Sequence, residues 1–387
     1  MLILGQSALE ITAQDESSSK QAVSQYHYVW LRDNCPCPEC IHPDAKDRVL
    51  VTAEIAADIA PISASIVDAE LLIEWNQGQH LSRYPLQWLH QHSYSNTQVV
   101  DDSALGELIL WGHELQGSIP CFNYQELYDD PKVLLKWCEA VRDYGLTIVR
   151  DAPLKEAEIE RFAEFVAVVR ETIYDRLHNV RATPGEYNAY NVASTTLELK
   201  PHTDMPCYNN PPGVQMFHFL VNETQGGEST AVDGFKVAAQ LKAVNPEAYR
   251  ILTTTPVSFR MYSDRGDVQS QNPMLTLDTN GQMKVFRFSN QTAQTMSLPP
   301  AQMTGFYDAY RALGKLIESP DNKVQFRLAT GDMMVTNNLR VMHGRNSYVA
   351  GTGERHLQLS YMDMDDVLSR IRMLKKGQLK SATRSAA

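Results

Sequence analysis

Asp332-Met333-Met334-Val335-Thr336-Asn337-Asn338-Leu339-Arg340-Val341-Met342-His343-Gly344-Arg345 is the stretch that decides how this chain is read. Its first half is a short apolar run of the kind a buried strand needs, and a histidine follows it. Upstream, His202-Thr203-Asp204 sits in a polar loop next to prolines, where an i, i+2 pair in extended chain points both side chains the same way. His343 lies 343 minus 204, or 139, residues beyond Asp204. Two histidines and one carboxylate on one face leave three positions of an octahedron open, the donor arrangement of non-haem Fe(II) oxygenases. Twelve residues after His343, Arg355 opens the strand-like run RHLQLSYMD. A buried guanidinium there would pair bidentately with a carboxylate, such as the one 2-oxoglutarate carries remote from its keto acid. In a chain with 11 histidines a lone His-x-Asp means little; the ordered set of four means much more.

Around this stretch the second half of the chain is rich in strand-like runs: VQMFHFLV at 214–221, MKVFRFS at 283–289, DMMVTNN at 332–338 and HLQLSYMD at 356–363. Helical stripes flank them. Leu134, Trp137, Cys138 and Val141 share one face, with Gly145 placed to stop that helix, and the strand-like LTIVRD follows. A second helix starts after Pro153 and runs to about Arg170, and a third covers roughly 300–318. Towards the N-terminus the pattern is short β-like runs, YHYVWL at 26–31, RVLVTAEI at 48–55 and LLIEW at 71–75. This predicts a small β-rich N-terminal domain over 1–95, a linker over 96–120, a mostly β catalytic domain with flanking helices over 121–376, and a mobile tail over 377–387.

With 387 residues there is ample chain for two cores. A net charge of -11, from 35 Lys plus Arg against 46 Asp plus Glu, has the wrong sign for a nucleic-acid partner. No run approaches the ~20 apolar residues of a membrane span, and Gly226-Gly227 lacks the third glycine of a dinucleotide loop. MLILGQSALE turns polar too soon for a secretory signal, so the expected compartment is the cytoplasm.

Three of the six cysteines fall within Asp33-Asn34-Cys35-Pro36-Cys37-Pro38-Glu39-Cys40. Thiolates gathered so closely repel one another unless a cation sits between them, and Zn2+ takes four S or N donors in a closed structural site. Candidates for the fourth donor are His42, His80, His90 and His92. His80 is favoured because it ends a strand-like run across an expected hairpin, while His42 is too near Cys40 to close the ring without strain.

Taken together, WLRDNCPCPEC at 30–40, His202-Thr203-Asp204, NPPGVQ at 210–215, GGESTAVDGF at 226–235, NLRVMHGR at 338–345 and RHLQLSYMDMDDVLSRIR at 355–372 resemble a known family. It is the 2-oxoglutarate-dependent Fe(II) dioxygenases, and within them the gamma-butyrobetaine and trimethyllysine dioxygenase group. The resemblance implies a double-stranded β-helix (jelly-roll) catalytic domain, a zinc-holding N-terminal domain and a homodimer. Carried over by position, it implies Fe(II) on His202, Asp204 and His343, 2-oxoglutarate on Arg355 with Ser229 close by, O2 as the second cosubstrate, and zinc on Cys35, Cys37, Cys40 and His80. For Arg345 a structural role suffices.

The expected substrate is a small zwitterionic ammonium acid hydroxylated at an unactivated C-H, with gamma-butyrobetaine to carnitine first. Trimethyllysine or an aminoethylphosphonate is the alternative, and a non-catalytic zinc-dependent scaffold the competing class. Tyr174 and Tyr361 match two members of the family's aromatic cage, which would hold a trimethylammonium by cation-π attraction. Ser194 stands where an aromatic is expected, and Asn290 matches the residue that holds the substrate's acidic end, with Arg287 nearby. A primary ammonium would instead want an acidic partner, for which Asp175 is placed.

Overall fold

Leu71, Ile73 and Trp75 are buried while Glu70, Leu72 and Glu74 between them are not, the period of two that marks a strand with one covered face. The computed structural model describes residues 1–14, 21–94, 106–182, 195–263 and 265–377. The chain forms two compact units, Met1–Asp102 and Ser103–Ala387.

In the first unit, β1 (Leu2–Leu4), β2 (Ala8–Gln14) and β3 (Gln21–His27) make one antiparallel sheet. The strands β4 (Pro61–Val67), β5 (Glu70–Trp75) and β6 (Leu81–Pro85) make another. The helices α1 (Tyr28–Asp33) and α2 (Leu86–Gln91) complete a core of Leu9, Tyr26, Leu31, Ile73, Trp75 and Tyr84. Two expectations fail here. The run 26–31 leaves its strand at His27 and becomes α1, because Tyr28, Leu31 and Arg32 then bury one helical side. The run 48–55 finds no partner strand; it makes an isolated bridge at Arg48 and a short 3-10 turn over Thr52–Glu54, leaving Val49 and Val51 exposed.

The second unit opens with β7 (Cys121–Asn123), α3 (Tyr124–Asp129) and α4 (Pro131–Asp143). Pro131 sits in the first turn of α4 and the Asp130 carboxylate accepts from Lys132 N, so both the missing donor and an orphan N-H are accounted for. Gly145, at φ +71°, turns the chain out of the helix and into β8 (Leu146–Arg150). Helix α5 (Glu158–Val166) is shorter than expected, because the chain leaves it to lie along the final strand, Val169 bridging Met362.

The remaining strands are β9 (His178–Ala182), β10 (Leu199–His202), β11 (Val214–Asn222), β12 (Ser229–Asp233), β13 (Pro256–Ser263), β14 (Gly266–Pro273), β15 (Leu275–Leu277), β16 (Met283–Phe286), β17 (Lys323–Phe326), β18 (Met333–Asn337), β19 (Val341–Arg345) and β20 (Arg355–Met362). The helices α6 (Gly234–Val244), α7 (Pro246–Thr254) and α8 (Pro300–Glu318) lie among them, and α9 (Met364–Lys375) follows.

Among the described residues, six strands in the order β7-β8-β18-β11-β20-β9 form the larger sheet and four, β10-β19-β12-β17, the smaller. Facing sheets of this kind make the double-stranded β-helix. On one side of β11, Val214 and Met216 pack with Trp137 and Phe162 of the helices; on the other, Phe217 and Phe219 face the inter-sheet space. A strand covered on both faces reads as a continuous apolar run, as this one does.

Part of the stretch expected as a linker is core. Trp111 is buried, its indole N-H donating to Tyr144 O and its backbone N-H to Asp233, and Leu115 packs beside it. Residues 378–387 of the expected tail, like Ser194, lie outside the described residues.

Candidate functional site

The two histidines of the triad meet because β10 and β19 are paired strands with His202 directly opposite His343. Their rings are 4.4 Å apart. Gly344 permits this approach: a Cβ there would stand 2.6 Å from Leu199 O and 3.1 Å from Pro201 N. The loop after β10 is pinned at both ends of the motif. Thr203 N-H donates to Phe288 O, and the buried Asn338 accepts from Asp204 N while its amide donates to Asp204 O and Pro212 O.

Asp204 Oδ1 then lies 3.3 Å from His202 Nε2 and 3.8 Å from His343 Nε2. Its other oxygen, Oδ2, accepts from Tyr361 Oη at 2.8 Å and from Gln215 Nε2. One oxygen is thereby occupied and the other left to the histidines. His202 Nδ1 faces Lys200 O at 2.9 Å, which selects the tautomer with a lone pair on Nε2. Burial pushes the His343 pKa down to about 3, with His202 adding to the shift, so its imidazole is neutral. Burial alone would raise Asp204, but its contacts with His202, His343 and the Tyr361 hydroxyl outweigh it and hold the carboxyl well below the usual range. One donor atom from each of the three residues lies within 4.8 Å of the others. Two imidazoles with Nε2 beside one carboxylate oxygen, on the wall of a cavity, are the facial set that suits Fe(II) with positions left open.

That cavity, about 520 Å³, is of the size small ligands use. Arg355 stands in it, 7% exposed, and its guanidinium makes no hydrogen bond or ion pair to another described residue. Burial, with Arg345 adding to it, lowers its pKa to about 9. Ser229 lines the same cavity, opposite Arg345 in the β12–β19 register. Tyr174 and Tyr361 are on its wall too.

His178, which no sequence motif singles out, lines the cavity and stacks on Tyr174, ring centroids 4.4 Å apart. Burial lowers its pKa, so the stack presents a neutral face. Asn290 is not brought to the cavity. Its Oδ1 accepts from Tyr310 Oη, because the turn after β16 points its neighbours Ser289, Gln291 and Thr292 inward instead. Arg287 is also not on the wall; it is buried, donating to Thr276 Oγ1 and Asn209 O. Asp175 carries an ion pair with Arg265 at the surface and does not line the cavity.

In the N-terminal unit, Cys35, Cys37 and Cys40 converge on His80 Nε2, with sulfur to nitrogen distances of 3.3, 3.5 and 3.6 Å. The β5–β6 turn delivers His80 through Gly78 and Gln79, both at positive φ. Glu39 Oε2 sits 3.3 Å from His80 Nδ1, the carboxylate that orients a ligating imidazole. Two of the other candidates are engaged elsewhere: His42 accepts from backbone N-H groups of its own loop and His92 stacks on Trp88. Three thiols and an imidazole, buried or half-buried, form a closed tetrahedral donor set that suits Zn2+.

Comparison with known proteins covers both units of the chain. The model of the taurine catabolism dioxygenase TauD, TfdA family matches residues 105–361, and that of the gamma-butyrobetaine hydroxylase-like N-terminal domain matches residues 4–149. Gamma-butyrobetaine dioxygenase of Pseudomonas sp. (strain AK-1) is 34% identical, over 92% of this chain and 91% of its own. Trimethyllysine dioxygenase of Meyerozyma guilliermondii is 29% identical, over 92% of each. Among solved structures, asparagine oxygenase in complex with Fe(II), 3-hydroxyasparagine and succinate aligns over 62% of this chain and 83% of its own, with TM-score 0.48 and 13% identity. The chain belongs to the TauD, TfdA dioxygenase family, with a gamma-butyrobetaine hydroxylase-like N-terminal domain, and is a 2-oxoglutarate- and Fe(II)-dependent dioxygenase.

Proposed function

We propose that this dioxygenase hydroxylates an unactivated C-H of a small zwitterionic ammonium acid, with gamma-butyrobetaine to carnitine as the first candidate. The overall reaction takes the C-H compound, 2-oxoglutarate and O2 to the alcohol, succinate and CO2. The observation that carries the reading is the pairing, in one cavity, of an open-sided His202, Asp204, His343 set with a buried, uncompensated Arg355. Burying a guanidinium without a partner is costly, which weighs against a scaffold that never binds an anion.

Iron, held by Nε2 of both histidines and Oδ1 of Asp204, supplies the oxidising chemistry when it is bound. The chain supplies the rest. Arg355 takes the remote carboxylate of 2-oxoglutarate. Phe217, Met334 and Leu359 keep water from the wall, and Tyr361 and Gln215 hold Asp204 still. Tyr174, backed by the neutral His178, and Tyr361 offer aromatic faces to a quaternary ammonium, which has no N-H to donate. Asp175 does not favour a primary ammonium, since Arg265 takes its charge at the surface.

The acidic end of the substrate falls to the group comprising Ser289, Gln291 and Thr292 rather than to Asn290; Thr292 Oγ1 is buried with no partner among the described residues. A homodimer belongs to the same reading, with the family resemblance behind it. No helix among the described residues is long and apolar enough to cross a membrane.

The test is succinate formation, dependent on Fe(II) and 2-oxoglutarate, over a panel of gamma-butyrobetaine, trimethyllysine and aminoethylphosphonates. Stimulation by the quaternary acids with none by primary amines is expected; the reverse order overturns the substrate assignment. Loss of substrate-driven succinate in His202→Ala is expected as well, and full activity there overturns the iron assignment.

A further inference from the structure

Arg32 lies in the last turn of α1, on the side that Tyr28 and Leu31 bury, and is itself 8% exposed. Its Nη1 donates to Cys40 Sγ at 3.2 Å. No carboxylate among the described residues pairs with it; Asp33, next in the chain, is taken by Arg48 and the Thr52 hydroxyl. Buried arginines elsewhere in this protein end on oxygen, Arg340 on the Asp233 carboxylate and Arg287 on Thr276 Oγ1 and Asn209 O. Arg32 ends on a sulfur, and that sulfur is one of the three that converge on His80.

Charge gives this contact its meaning. Near neutral pH an ordinary thiol keeps its proton, so three thiols and a neutral imidazole without metal carry no net charge. Taking up Zn2+ releases three protons. Two positive charges then stand against three negative ones, which leaves the loaded centre with one net negative charge. Cys35 and Cys40 are buried, so that charge is held away from water, which is costly unless a cation and hydrogen bonds meet it. The Glu39 carboxylate beside His80 Nδ1 adds a second negative charge. A thiol is a weak acceptor and a thiolate a strong one, so the Arg32 bond favours the deprotonated, metal-holding form of Cys40 over the protonated one.

We infer that Arg32 is the counter-charge of the zinc centre: its guanidinium neutralises the loaded Cys35, Cys37, Cys40, His80 set through the bond to Cys40 and so keeps the metal in place. It is a positioning residue, since it touches a ligand and not the ion. The chain places it well, because α1 runs through Asp33 and Asn34 directly into Cys35, so the helix that buries Arg32 also leads into the first thiol. This inference rests on the zinc reading of the four donors.

The test measures zinc affinity of the full-length protein by competition with a chromophoric chelator, and needs no turnover. Arg32→Met keeps much of the apolar stem and removes the charge; zinc is expected to bind about 10- to 100-fold more weakly, the worth of a charge-assisted bond. Co(II) in place of zinc adds a spectroscopic reading. An N-H on a ligating sulfur draws electron density from it, so in Arg32→Met the thiolate-to-cobalt charge-transfer band is expected at longer wavelength than in wild type. Arg32→Lys keeps the charge without the planar fork and is expected to lose less zinc affinity than Arg32→Met. Unchanged affinity in Arg32→Met overturns the inference. Weaker binding with an unmoved cobalt band overturns it too, marking an arginine that only packs, and so does equal loss in Arg32→Lys and Arg32→Met. If Arg32→Met does not fold, Arg32→Gln decides by the same criteria. A wild type that takes up no zinc brings down the zinc reading itself, whereas tight binding by wild type and variants alike brings down this inference alone.

Discussion

Replacing Gly344 by alanine adds one methyl group at the tightest point of the iron site. The new Cβ would stand 2.6 Å from Leu199 O, 2.8 Å from Thr230 Oγ1 and 3.1 Å from Pro201 N. The hydroxyl can turn away, but the carbonyl and the nitrogen are backbone atoms of β10 and of the residue next to His202. Reaching an ordinary contact of about 3.4 Å from 2.6 Å moves that strand by about 0.8 Å. Metal sites tolerate about 0.2 Å in ligand distance. His202 would therefore leave the position in which its Nε2 shares a point with His343 and Asp204, while the latter two, on β19 and on the Asn338 clamp, stay put. Overpacking of this kind costs roughly 1–3 kcal/mol in stability, so the variant is expected to fold. Its Mn(II) affinity, read by calorimetric titration, is expected to fall at least about 10-fold, and turnover with any accepted substrate by about 100-fold. A folded Gly344→Ala variant that binds Mn(II) within about twofold of wild type would refute the account of how β10 and β19 assemble the triad.

Tyr361→Phe removes the hydroxyl that donates to Asp204 Oδ2 and keeps the ring on the cavity wall; metal affinity is expected to drop about 10-fold, and an unchanged titration shows that Gln215 suffices alone. His218 is fully buried, both ring nitrogens without a partner among the described residues, and burial pushes its pKa down to about 4. The unfolded chain takes up a proton near pH 6.5 and the folded one does not, so stability is full above that pH and lost as pH falls towards 4, by up to about 3 kcal/mol. Urea melts between pH 7 and 4 measure this slope, which His218→Leu should flatten; identical slopes would clear His218 of the effect. Stripping zinc, with the loss verified by elemental analysis, is expected to unfold the Met1–Asp102 unit, because structural zinc contributes about as much free energy as a small domain has in total. Near-UV circular dichroism from Trp30, Trp75 and Trp88 follows it. Mn(II) binding at the triad should survive, and an unchanged melting curve without zinc would remove the structural role.

Much of this was readable from the sequence wherever one chemical demand fixes several residues at once. Three thiols in six residues demand a fourth donor, and a His-x-Asp with a distant histidine and arginine demands a shared cavity. The hairpin that favours His80 for zinc is legible as spacing, whereas the positive-φ turn at Gly78 and Gln79 that delivers its ring to the three thiols is not. Tyr28–Asp33 was misread because aromatic and β-branched residues favour strands locally, yet the packing of Tyr28 and Leu31 outweighed that preference. Trp111 was placed in a linker because the polar residues on both sides dominated the window; the apolar run around it was the available signal. Asn290 and its neighbours differ only in the phase of an irregular turn, so composition gave no means of deciding which of them faces inward. The place of His178 is illegible for the same reason: it depends on what lies across a cavity, from strands far away in the chain.

The final strand ties these observations together. Arg355, Leu357, Leu359 and Tyr361 are successive odd positions of β20, and all four line the cavity. Arg355 marks the end where the cosubstrate's remote carboxylate is proposed to sit, and Tyr361 donates to Asp204, the proposed iron ligand. Six residues of extended chain separate them, roughly 20 Å of backbone at about 3.3 Å per residue. One strand face thus carries the anion grip towards one end and the support of the metal ligand towards the other. It does so through a register, Leu359 opposite Phe217 and Tyr361 opposite Gln215 on β11, the strand that also supplies the second donor to Asp204. A slip of one residue would turn all four side chains out of the cavity together. The anion grip, the apolar wall and the support of the metal ligand are therefore not independent features: they stand or fall with a single strand pairing.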